Sequence, residues 1–518
     1  MNKTFTSDDC PKLTSTLFEV ASISKEALFQ FNSFFLLLYV QLASPITDNP
    51  NFTTLFFIVT MGIVVSKILA GFCWSIASHI IESGKFPYGR YRTMTFVGAC
   101  LSTLLSILTF FVAPLCGSGT LFIVVFLIFY TLSECLFSVN DIGYWSFVNQ
   151  MSKNEHRRSK ITGYTNLFCA LGSFSVTALA PAISAGNAKE NMSILIIVIT
   201  SLYFIMQAAY CYFMCERKED LTMKTVKKAP VFESLRILFS DRQIFLVVLC
   251  YFFLFLSQDL LIGNSANYFY YEYGYGGLGQ SGFEGSRMSG GAVSFYFSIC
   301  FGLGIFISNG VYASIVKHLG KKKLMIASIC CIVPCYFFLY FFALSRGNEY
   351  FLFVTALIVA FFQGLIFMAL TMNVIDSSEY YEAKTGKQRT ASIQAAKALA
   401  VKSANGFQTG FLYLFLAISP NLLNVNSFVG KCESMNNQGL LEGDIITTVN
   451  MYIHTKFDNI EQSLSIYRIS MTFLPCLLFV AAVAIAIFCV DVSSEKNYDE
   501  YIRIIKERKD ADKKQHQA

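Results

Sequence analysis

Long apolar stretches separated by short polar segments make up most of the chain. A helix needs about 20 predominantly apolar residues to cross the hydrocarbon core of a bilayer. Twelve stretches are long enough, so we predict an all-α membrane protein with twelve transmembrane helices. They cover residues 27–47, 53–80, 92–113, 120–141, 162–184, 193–215, 243–263, 291–316, 324–344, 351–374, 391–419 and 466–490. The first and the eleventh stretches are the least purely apolar.

A long basic segment separates the first six apolar stretches from the last six. We predict an N-terminal segment at 1–26, a six-helix bundle at 27–215, a central loop at 216–242, a second six-helix bundle at 243–490 with a polar insertion at 420–465, and a tail at 491–518. Basic turns recur after helices 2 and 8, which favours two parallel repeats, the arrangement of the major facilitator fold. The alternative is the ordinary collection of Lys and Arg in cytoplasmic loops.

Lys and Arg collect in the segments after helices 2, 4, 6, 8, 10 and 12, which all lie on one side if every stretch spans the membrane. The loops on the other side are poor in basic residues. Since Lys and Arg are enriched in cytoplasmic loops, we predict a multi-pass protein of the cell membrane with both termini in the cytoplasm. The scattered exceptions are Lys189, Arg287, Arg346, Lys431 and Lys456.

Composition supports a lipid environment and narrows the classes of function. Only 14% of the residues are charged and the mean hydropathy is +0.51, whereas about 25% are charged in a typical soluble domain. The net charge is +6, but the basic residues lie in short runs between apolar stretches. We therefore expect no nucleic-acid partner. Most of the sixteen cysteines lie inside apolar stretches and there are only five histidines. We therefore expect neither a metal centre nor a cofactor. We find no nucleophile and base near a cofactor motif, and expect no enzyme.

Ionisable residues inside a membrane are costly and are functional candidates by default. Glu134 and Asp141 lie seven residues apart on helix 4 and share one face, about two turns from each other. Lys67 lies deep in helix 2 and Lys402 on helix 11. The remaining two candidates, Asp259 and Lys397, lie near predicted helix ends. Their side chains have the alternative of reaching the lipid headgroups.

Asp141 is followed four residues later by Trp145, so both lie on the same face of helix 4. A carboxylate accepts hydrogen bonds from vicinal hydroxyls, and an indole covers the apolar face of a pyranose ring. This pair is therefore suited to binding a sugar. The alternative is an interfacial tryptophan beside an acid at the cytoplasmic end of a helix.

Three segments carry a resemblance to a known family. Segment 141–146 (Asp-Ile-Gly-Tyr-Trp-Ser), followed by a charged stretch and Tyr164, resembles the helix 4–5 signature of the glycoside–pentoside–hexuronide cation symporters, the melibiose permease family. Segment 376–389 (Asp-Ser-Ser-Glu-Tyr-Tyr-Glu-Ala-Lys-Thr-Gly-Lys-Gln-Arg) is similar to the helix 10–11 signature of that family, with one extra residue before Arg389. Segment 89–92 (Gly-Arg-Tyr-Arg) matches the turn after helix 2.

The resemblance implies a twelve-helix facilitator fold that binds its substrate between the two halves. It implies that Asp141 and Trp145 are sugar ligands and that Lys402 lines the cavity. It also places Asn166 where the family has a sugar-binding arginine on helix 5, and Ser33 near the position of an aspartate on helix 1. The two cation-binding aspartates of helix 2 fall on Ala70 and Trp74. Sodium coupling through the usual site is therefore not expected.

Lys67 lies about one turn from Ala70 on helix 2. Its ammonium is predicted to lie at a depth between Glu134 and Asp141, so we hypothesise that it pairs with one of them and replaces the missing sodium ion. If protons are used, Glu134 is the candidate carrier, and Asp141 belongs to the same coupling set. The competing interpretation places Lys67 against lipid headgroups or an unrelated helix.

These observations predict a transporter that moves a sugar or glycoside across the bilayer by alternating access, coupled to protons or uncoupled rather than coupled to sodium. Two alternatives remain: a membrane sensor with the same fold that does not transport, and a transporter of a solute other than a carbohydrate.

Overall fold

The computed structural model describes residues 4–5, 9–83, 86, 88–152, 155–217, 232–386, 390–456, 460–491, 500–501, 503–504 and 507. Within this part of the chain, eleven helices are long and apolar enough to cross a membrane. A twelfth is obtained if the pair Ser392–Ile418 and Leu422–Asn437, bent by 103°, counts as one span. The predicted all-helical membrane architecture is confirmed. Much of the predicted central loop and tail, with Arg389, lies outside the described residues.

The eleven spans and the first helix of the bent pair are numbered together in chain order as helices 1 to 12. Helix 1 combines Lys12–Gln30, a π-helical turn Phe31–Phe35 and Leu36–Leu42. The α-helical segments of helices 2 to 11 are, in order, Phe52–Ser83, Arg90–Ile107, Thr120–Met151, Glu155–Ser184, Ala188–Phe213, Arg242–Tyr273, Gly290–Leu319, Lys321–Phe338, Glu349–Thr385 and Thr390–Ile418. Helix 12 combines Ile460–Met471 and Phe473–Phe488. Shorter helices cover Pro45–Asp48, Ala113–Cys116, Glu233–Ser240, Leu422–Asn437 and Ile445–Lys456.

Helices 3 and 9 show that the two halves repeat. Each has 18 α-helical residues followed by a five-residue π-helical turn, Leu108–Val112 in helix 3 and Leu339–Ala343 in helix 9. Each also begins directly after a glycine with positive φ, Gly89 at 101° and Gly320 at 73°. Glycine adopts this conformation without the steric cost of a Cβ atom. The basic turns after helices 2 and 8 therefore end in the same way.

Helix packing follows the same repeat. In the first half, helix 1 packs against helices 5 and 6, helix 2 against helix 4, and helix 3 against helices 4 and 6. In the second half, helix 7 packs against helices 11 and 12, helix 8 against helix 10, and helix 9 against helices 10 and 12. The halves meet where helix 2 packs against helix 11 and helix 5 against helix 8.

Both ends of the described chain lie at one end of the bundle, here called the terminal face. Strand Thr4–Phe5 pairs in parallel with Glu216–Arg217, directly after helix 6. The backbone N–H of Asp491 donates to the Gln243 side chain at the start of helix 7. Glu216 accepts hydrogen bonds from the backbone N–H groups of Arg90 and Arg92, and burial raises the pKa of its carboxyl above the usual value.

The opposite end of the bundle, the distal face, is covered by helix Leu422–Asn437, here called the cap helix. Its Glu433 is fully buried and accepts hydrogen bonds from the backbone N–H groups of Gly186 (2.7 Å) and Ala188 (2.8 Å) and from the Tyr275 hydroxyl. Gly186 and Ala188 belong to the first half, and the cap helix and Tyr275 to the second. The halves are therefore joined at the distal face.

Three predicted boundaries differ from the structure. Helix 1 begins at Lys12 instead of near residue 27, because residues 12–26 are packed against helices 5 and 6 and need no apolar surface for lipid. The Ser22 hydroxyl, for example, bonds the backbone carbonyl of Thr165 inside this contact. Helix 7 continues to Tyr273. The insertion at 420–465 is largely helical, because it contains the cap helix and Ile445–Lys456.

Candidate functional site

Helices 1 and 4 run antiparallel and bring two polar pairs together inside the first half. The Lys25 ammonium lies 2.5 Å from the Asp141 carboxylate, and the Asn32 amide donates to Glu134 at 3.0 Å. Lys25 and Asn32 are seven residues apart on helix 1, and Glu134 and Asp141 are seven residues apart on helix 4. This spacing corresponds to about 10 Å along a helix. The predicted shared face of Glu134 and Asp141 is therefore the face whose side chains contact helix 1.

The first pair belongs to a larger cluster, here called the Asp141 group: Lys25, Glu26, Asp141, Tyr144 and Trp145. Lys25 also contacts Glu26 at 2.9 Å, and its ammonium lies 5.2 Å and 5.1 Å from the ring centroids of Tyr144 and Trp145. A cation at this distance is attracted to the face of an aromatic ring. The ammonium thus compensates two carboxylates and is covered by two rings.

Exposure within the Asp141 group is uneven. The Lys25 side chain is 1% exposed, whereas Asp141 is 16% and Glu26 is 21% exposed. The lysine therefore lies behind the two carboxylates, which keep accessible edges. An ionised carboxylate is only an acceptor of hydrogen bonds, so these edges are complementary to hydroxyl groups of a ligand. Trp145 is half-buried beside them.

The second pair belongs to a cluster that extends across the two halves, here called the Glu134 group: Asn32, Glu134 and Lys402. Lys402 of helix 11 contacts the other oxygen of Glu134 at 2.8 Å, and both side chains are almost fully buried, at 6% and 3% exposure. The Lys402 ammonium lies 4.7 Å from the ring centroid of Phe29 and 5.2 Å from that of Phe137. Since both oxygens of Glu134 are engaged, this carboxylate is held by one residue from each half.

Lys67 lies in a third cluster at the contact of helices 2 and 11. Its ammonium donates to the backbone carbonyl of Ser33 at 2.8 Å and to the Thr409 hydroxyl at 2.9 Å. The Ser33 hydroxyl donates to the Asn405 side-chain oxygen at 3.0 Å, and the Asn405 amide donates to Asp259 of helix 7. Ser33 lies within the π-helical turn of helix 1, an irregularity that is frequent at functional sites.

Three of the predicted substrate residues lie outside the Asp141 group. Lys402 contacts Glu134, and Ser33 belongs to the cluster of Lys67. Asn166 is exposed on helix 5 and takes part in none of the hydrogen bonds of the three clusters as far as the chain is described. Asp141 and Trp145 do lie together.

Asp259 lies near the end of a predicted helix, where its side chain had the alternative of reaching the lipid headgroups. In the structure Asp259 is buried at 5% exposure and does not reach the surface.

The hypothesised pairing of Lys67 with Glu134 or Asp141 is wrong in this structure. Lys402 and Lys25 occupy those positions, and among the described residues no carboxylate lies within ion-pair distance of Lys67. The cause is that two other lysines, Lys25 and Lys402, lie inside the bundle at similar depths. Lys25 was not considered because helix 1 was predicted to begin at residue 27.

Sequence reasoning missed Lys25, Glu26, Asn32 and Asn405. The resemblance placed the acid of helix 1 near Ser33, whereas the structure places Glu26 in the Asp141 group, seven residues earlier. A signal was present, because Lys25 and Asn32 have the same spacing as Asp141 and Glu134. It was not used, because residues 1–26 were assigned to a segment outside the membrane.

The helix 10–11 signature holds the terminal face of the second half together. Asp376 contacts Lys321 of helix 9 at 2.7 Å. Lys384 contacts Asp241 at 2.7 Å, and the Tyr380 hydroxyl donates to the same carboxylate at 3.2 Å. Asp241 also caps the first turn of helix 7. These signature residues therefore fix helix 10 to its neighbours and lie outside the three central clusters.

Comparison with known proteins identifies the family. Residues 57–493 match the family described as MFS/sugar transport protein. The chain belongs to this family. This MFS protein is 22% identical over 374 residues to the raffinose carrier protein of Pediococcus pentosaceus and 20% identical over 376 residues to the lactose permease of Leuconostoc lactis. The predicted resemblance to the glycoside–pentoside–hexuronide symporters is confirmed.

The two alignments cover 70% and 68% of this MFS protein but only 55% and 54% of the two relatives, so the chain spans about half their length. Solved structures show the same fold. A D-xylose-proton symporter superposes with a TM-score of 0.55 at 13% identity, covering 87% of this chain and 98% of that one. The nucleoside transporter NupG gives a TM-score of 0.51 at 12% identity, covering 91% of this chain and 99% of that one. The predicted major facilitator fold is confirmed.

Proposed function

We propose that this MFS protein transports a sugar or glycoside and binds it at the Asp141 group. The observation that carries the proposal is the arrangement of two partly exposed carboxylates, Glu26 and Asp141, beside Trp145 with Lys25 behind them. Hydroxyl groups of a sugar donate to the carboxylates, and the indole covers an apolar face of the ring. The names of the similar proteins, a raffinose carrier and a lactose permease, support a carbohydrate.

Alternating access in this proposal is a rocking of the two halves about the central clusters. The Glu134–Lys402 contact and the Ser33–Asn405 contact both cross between the halves. A change in their relative position therefore acts directly on buried charges. The Asp141 group lies within the first half, about two helical turns from Glu134, so substrate and interface are close neighbours on helices 1 and 4.

Coupling to protons, or uncoupled transport, is favoured over coupling to sodium. A hard cation requires several oxygen ligands. The positions where the family has acids on helix 2 carry Ala70 and Trp74, which are both buried. The central acids Glu134 and Asp141 are already held by lysines. Lysine ammonium groups thus occupy the places where a coupling cation would be needed.

Counterflow in proteoliposomes tests the function. Vesicles loaded with one unlabelled monosaccharide, disaccharide or trisaccharide at a time are diluted into a trace of the labelled compound, with a nucleoside as the control solute. We expect a transient accumulation with at least one sugar, in sodium, potassium or choline medium alike. Counterflow with the nucleoside alone supports a non-carbohydrate transporter, and saturable binding of a sugar without any counterflow supports a sensor.

We also propose that the terminal face is cytoplasmic and that the protein resides in the plasma membrane. Lys323 lies exposed at the terminal face and Asn437 exposed at the distal face. With all sixteen native cysteines replaced, we expect Asn437→Cys to react with an impermeant thiol reagent on intact cells. Lys323→Cys is expected to react only after permeabilisation. Labelling of the Lys323 position alone on intact cells contradicts this orientation.

A further inference from the structure

We propose that Asp259 is the proton-carrying residue of this transporter, and that Asn405 and Lys67 link its protonation to the relative position of the two halves. The inference rests on the proposed function and deepens it, because it names the coupling ion and the group that binds it. The sequence suggested Glu134 as the proton carrier and placed Asp259 near the end of a predicted helix. The structure favours Asp259 in this role.

Asp259 differs from Glu134 and Asp141, the other acids of the three central clusters on helices 4 and 7, in what holds it. Within the described chain, Glu134 and Asp141 each contact a lysine, and Glu433 accepts two backbone N–H groups and a hydroxyl. Asp259 is 5% exposed, and the hydrogen bond described for it comes from the neutral amide of Asn405. A buried carboxylate without an ionic partner is costly, and protonation removes this cost. Asp259 is therefore a carboxylate for which binding a proton is structurally reasonable.

Asn405 connects Asp259 to the opposite half. Its amide nitrogen donates to Asp259, while its side-chain oxygen accepts the Ser33 hydroxyl at 3.0 Å. Its backbone carbonyl accepts the Thr409 hydroxyl at 3.0 Å and lies 3.5 Å from the Lys67 ammonium. One side chain of helix 11 thus contacts both the acid of helix 7 and the π-helical turn of helix 1.

Lys67 supplies the charge that opposes Asp259. It is 2% exposed and is held by the Ser33 carbonyl of its own half and the Thr409 hydroxyl of the other. Among the described residues, Lys67 is close enough to Asp259 for an electrostatic interaction between them, and Lys67 also interacts electrostatically with Glu134 and Lys402. In this structure, Lys67 and Asp259 therefore form a charge pair separated by Asn405 instead of a direct ion pair.

The cycle follows from these contacts. When the halves rock apart at helices 2 and 11, the Lys67–Thr409 and Ser33–Asn405 bonds break and Lys67 moves away with its half. Asp259 then takes a proton from water on the distal side, forming one O–H bond and losing its charge. When the halves return to the arrangement seen here, the approaching ammonium favours the ionised carboxylate. The O–H bond breaks and the proton passes to water on the terminal side.

The test compares two readouts in the same proteoliposomes, using the sugar identified by counterflow. The first is counterflow itself, which needs no proton gradient. The second is accumulation driven by a pH difference of one unit, acidic on the distal side, which supports up to about ten-fold accumulation at one proton per sugar. We expect Asp259→Asn to retain counterflow within about three-fold of the wild type and to lose accumulation, because an amide does not carry the proton.

Two further variants keep the test decisive. Glu349→Gln, a second fully buried acid of the same half near the distal face, is the matched control and is expected to accumulate sugar normally. Asp259→Glu retains a titratable group, so we expect it to accumulate sugar with a displaced pH profile, even if Asp259→Asn does not fold. Normal accumulation by Asp259→Asn overturns the inference. So does a wild type with robust counterflow and no accumulation, which leaves the proposed function intact. Failure of counterflow with every sugar overturns the proposed function itself.

Discussion

Replacement of Lys402 by methionine is expected to destabilise the protein by about 3–5 kcal/mol, the usual cost of removing one partner of a buried ion pair. Among the described residues, the replacement leaves Glu134, which is 3% exposed, with the Asn32 amide as its remaining side-chain partner. Thermal unfolding of the detergent-solubilised protein, followed by loss of the monodisperse peak in size-exclusion chromatography, measures the effect. We expect transport to be abolished as well, because the pair joins the two halves.

Two companion variants separate pairing from the loss of a lysine. Lys397→Met removes another lysine of helix 11, and the Lys397 ammonium lies 4.7 Å from the centroid of the Tyr251 ring. We expect this variant to unfold at a temperature within a few degrees of that of the wild type. The double variant Glu134→Gln with Lys402→Met removes both charges and should regain most of the lost stability. Equal destabilisation by Lys402→Met and Lys397→Met argues against a structural role for the ion pair.

Replacement of Asp141 by asparagine is expected to lower the affinity for the transported sugar by about 10- to 100-fold, since a hydrogen bond to a charged group contributes about 1.5–3 kcal/mol. Transport is then largely lost at low sugar concentration. The same change leaves Lys25 with Glu26 as its remaining carboxylate. Trp145→Ala removes ring surface without changing charge, so we expect it to weaken binding chiefly. Counterflow at increasing sugar concentration measures both effects.

Lys25→Met tests whether the ammonium supports the carboxylates. Without it, Asp141 and Glu26 repel each other, and we expect transport to fall at least as strongly as in Asp141→Asn. Wild-type transport rates in the Asp141→Asn variant mean that the sugar binds elsewhere in the bundle.

Eleven spans and the first helix of the bent pair were predictable from the sequence because lipid-facing helices carry their signal in hydropathy alone. Helix 1 was located poorly for the opposite reason. Its first residues, Lys12 to Glu26, face other helices and are rich in hydroxyl groups and charges, so they resemble a soluble segment when read for apolar length. The cap helix was not predicted because the polar insertion at 420–465 contains no long apolar stretch that would indicate a helix across the distal face.

The two acids of helix 4 were predictable, and their partners were not. Periodicity gives the face and the depth of Glu134 and Asp141 on helix 4, because both depend only on position along one helix. Which lysine approaches each carboxylate depends on how helices 1, 2, 4 and 11 are arranged around one another. Lys25, Lys67 and Lys402 are all available in sequence, and only the packing assigns two of them to acids and leaves Lys67 with a carbonyl and a hydroxyl.

The most direct measurement of where the sugar binds uses the fluorescence of Trp145. The chain has two tryptophans, and the other, Trp74, is buried in a separate cluster on helix 2, so Trp74→Phe leaves Trp145 as the only indole. In this variant, once normal counterflow is verified, the transported sugar is expected to change the Trp145 emission saturably. Addition of Asp141→Asn should shift that titration to sugar concentrations about 10- to 100-fold higher. Emission that does not respond to a transported sugar, or a titration that Asp141→Asn leaves unchanged, contradicts binding at the Asp141 group.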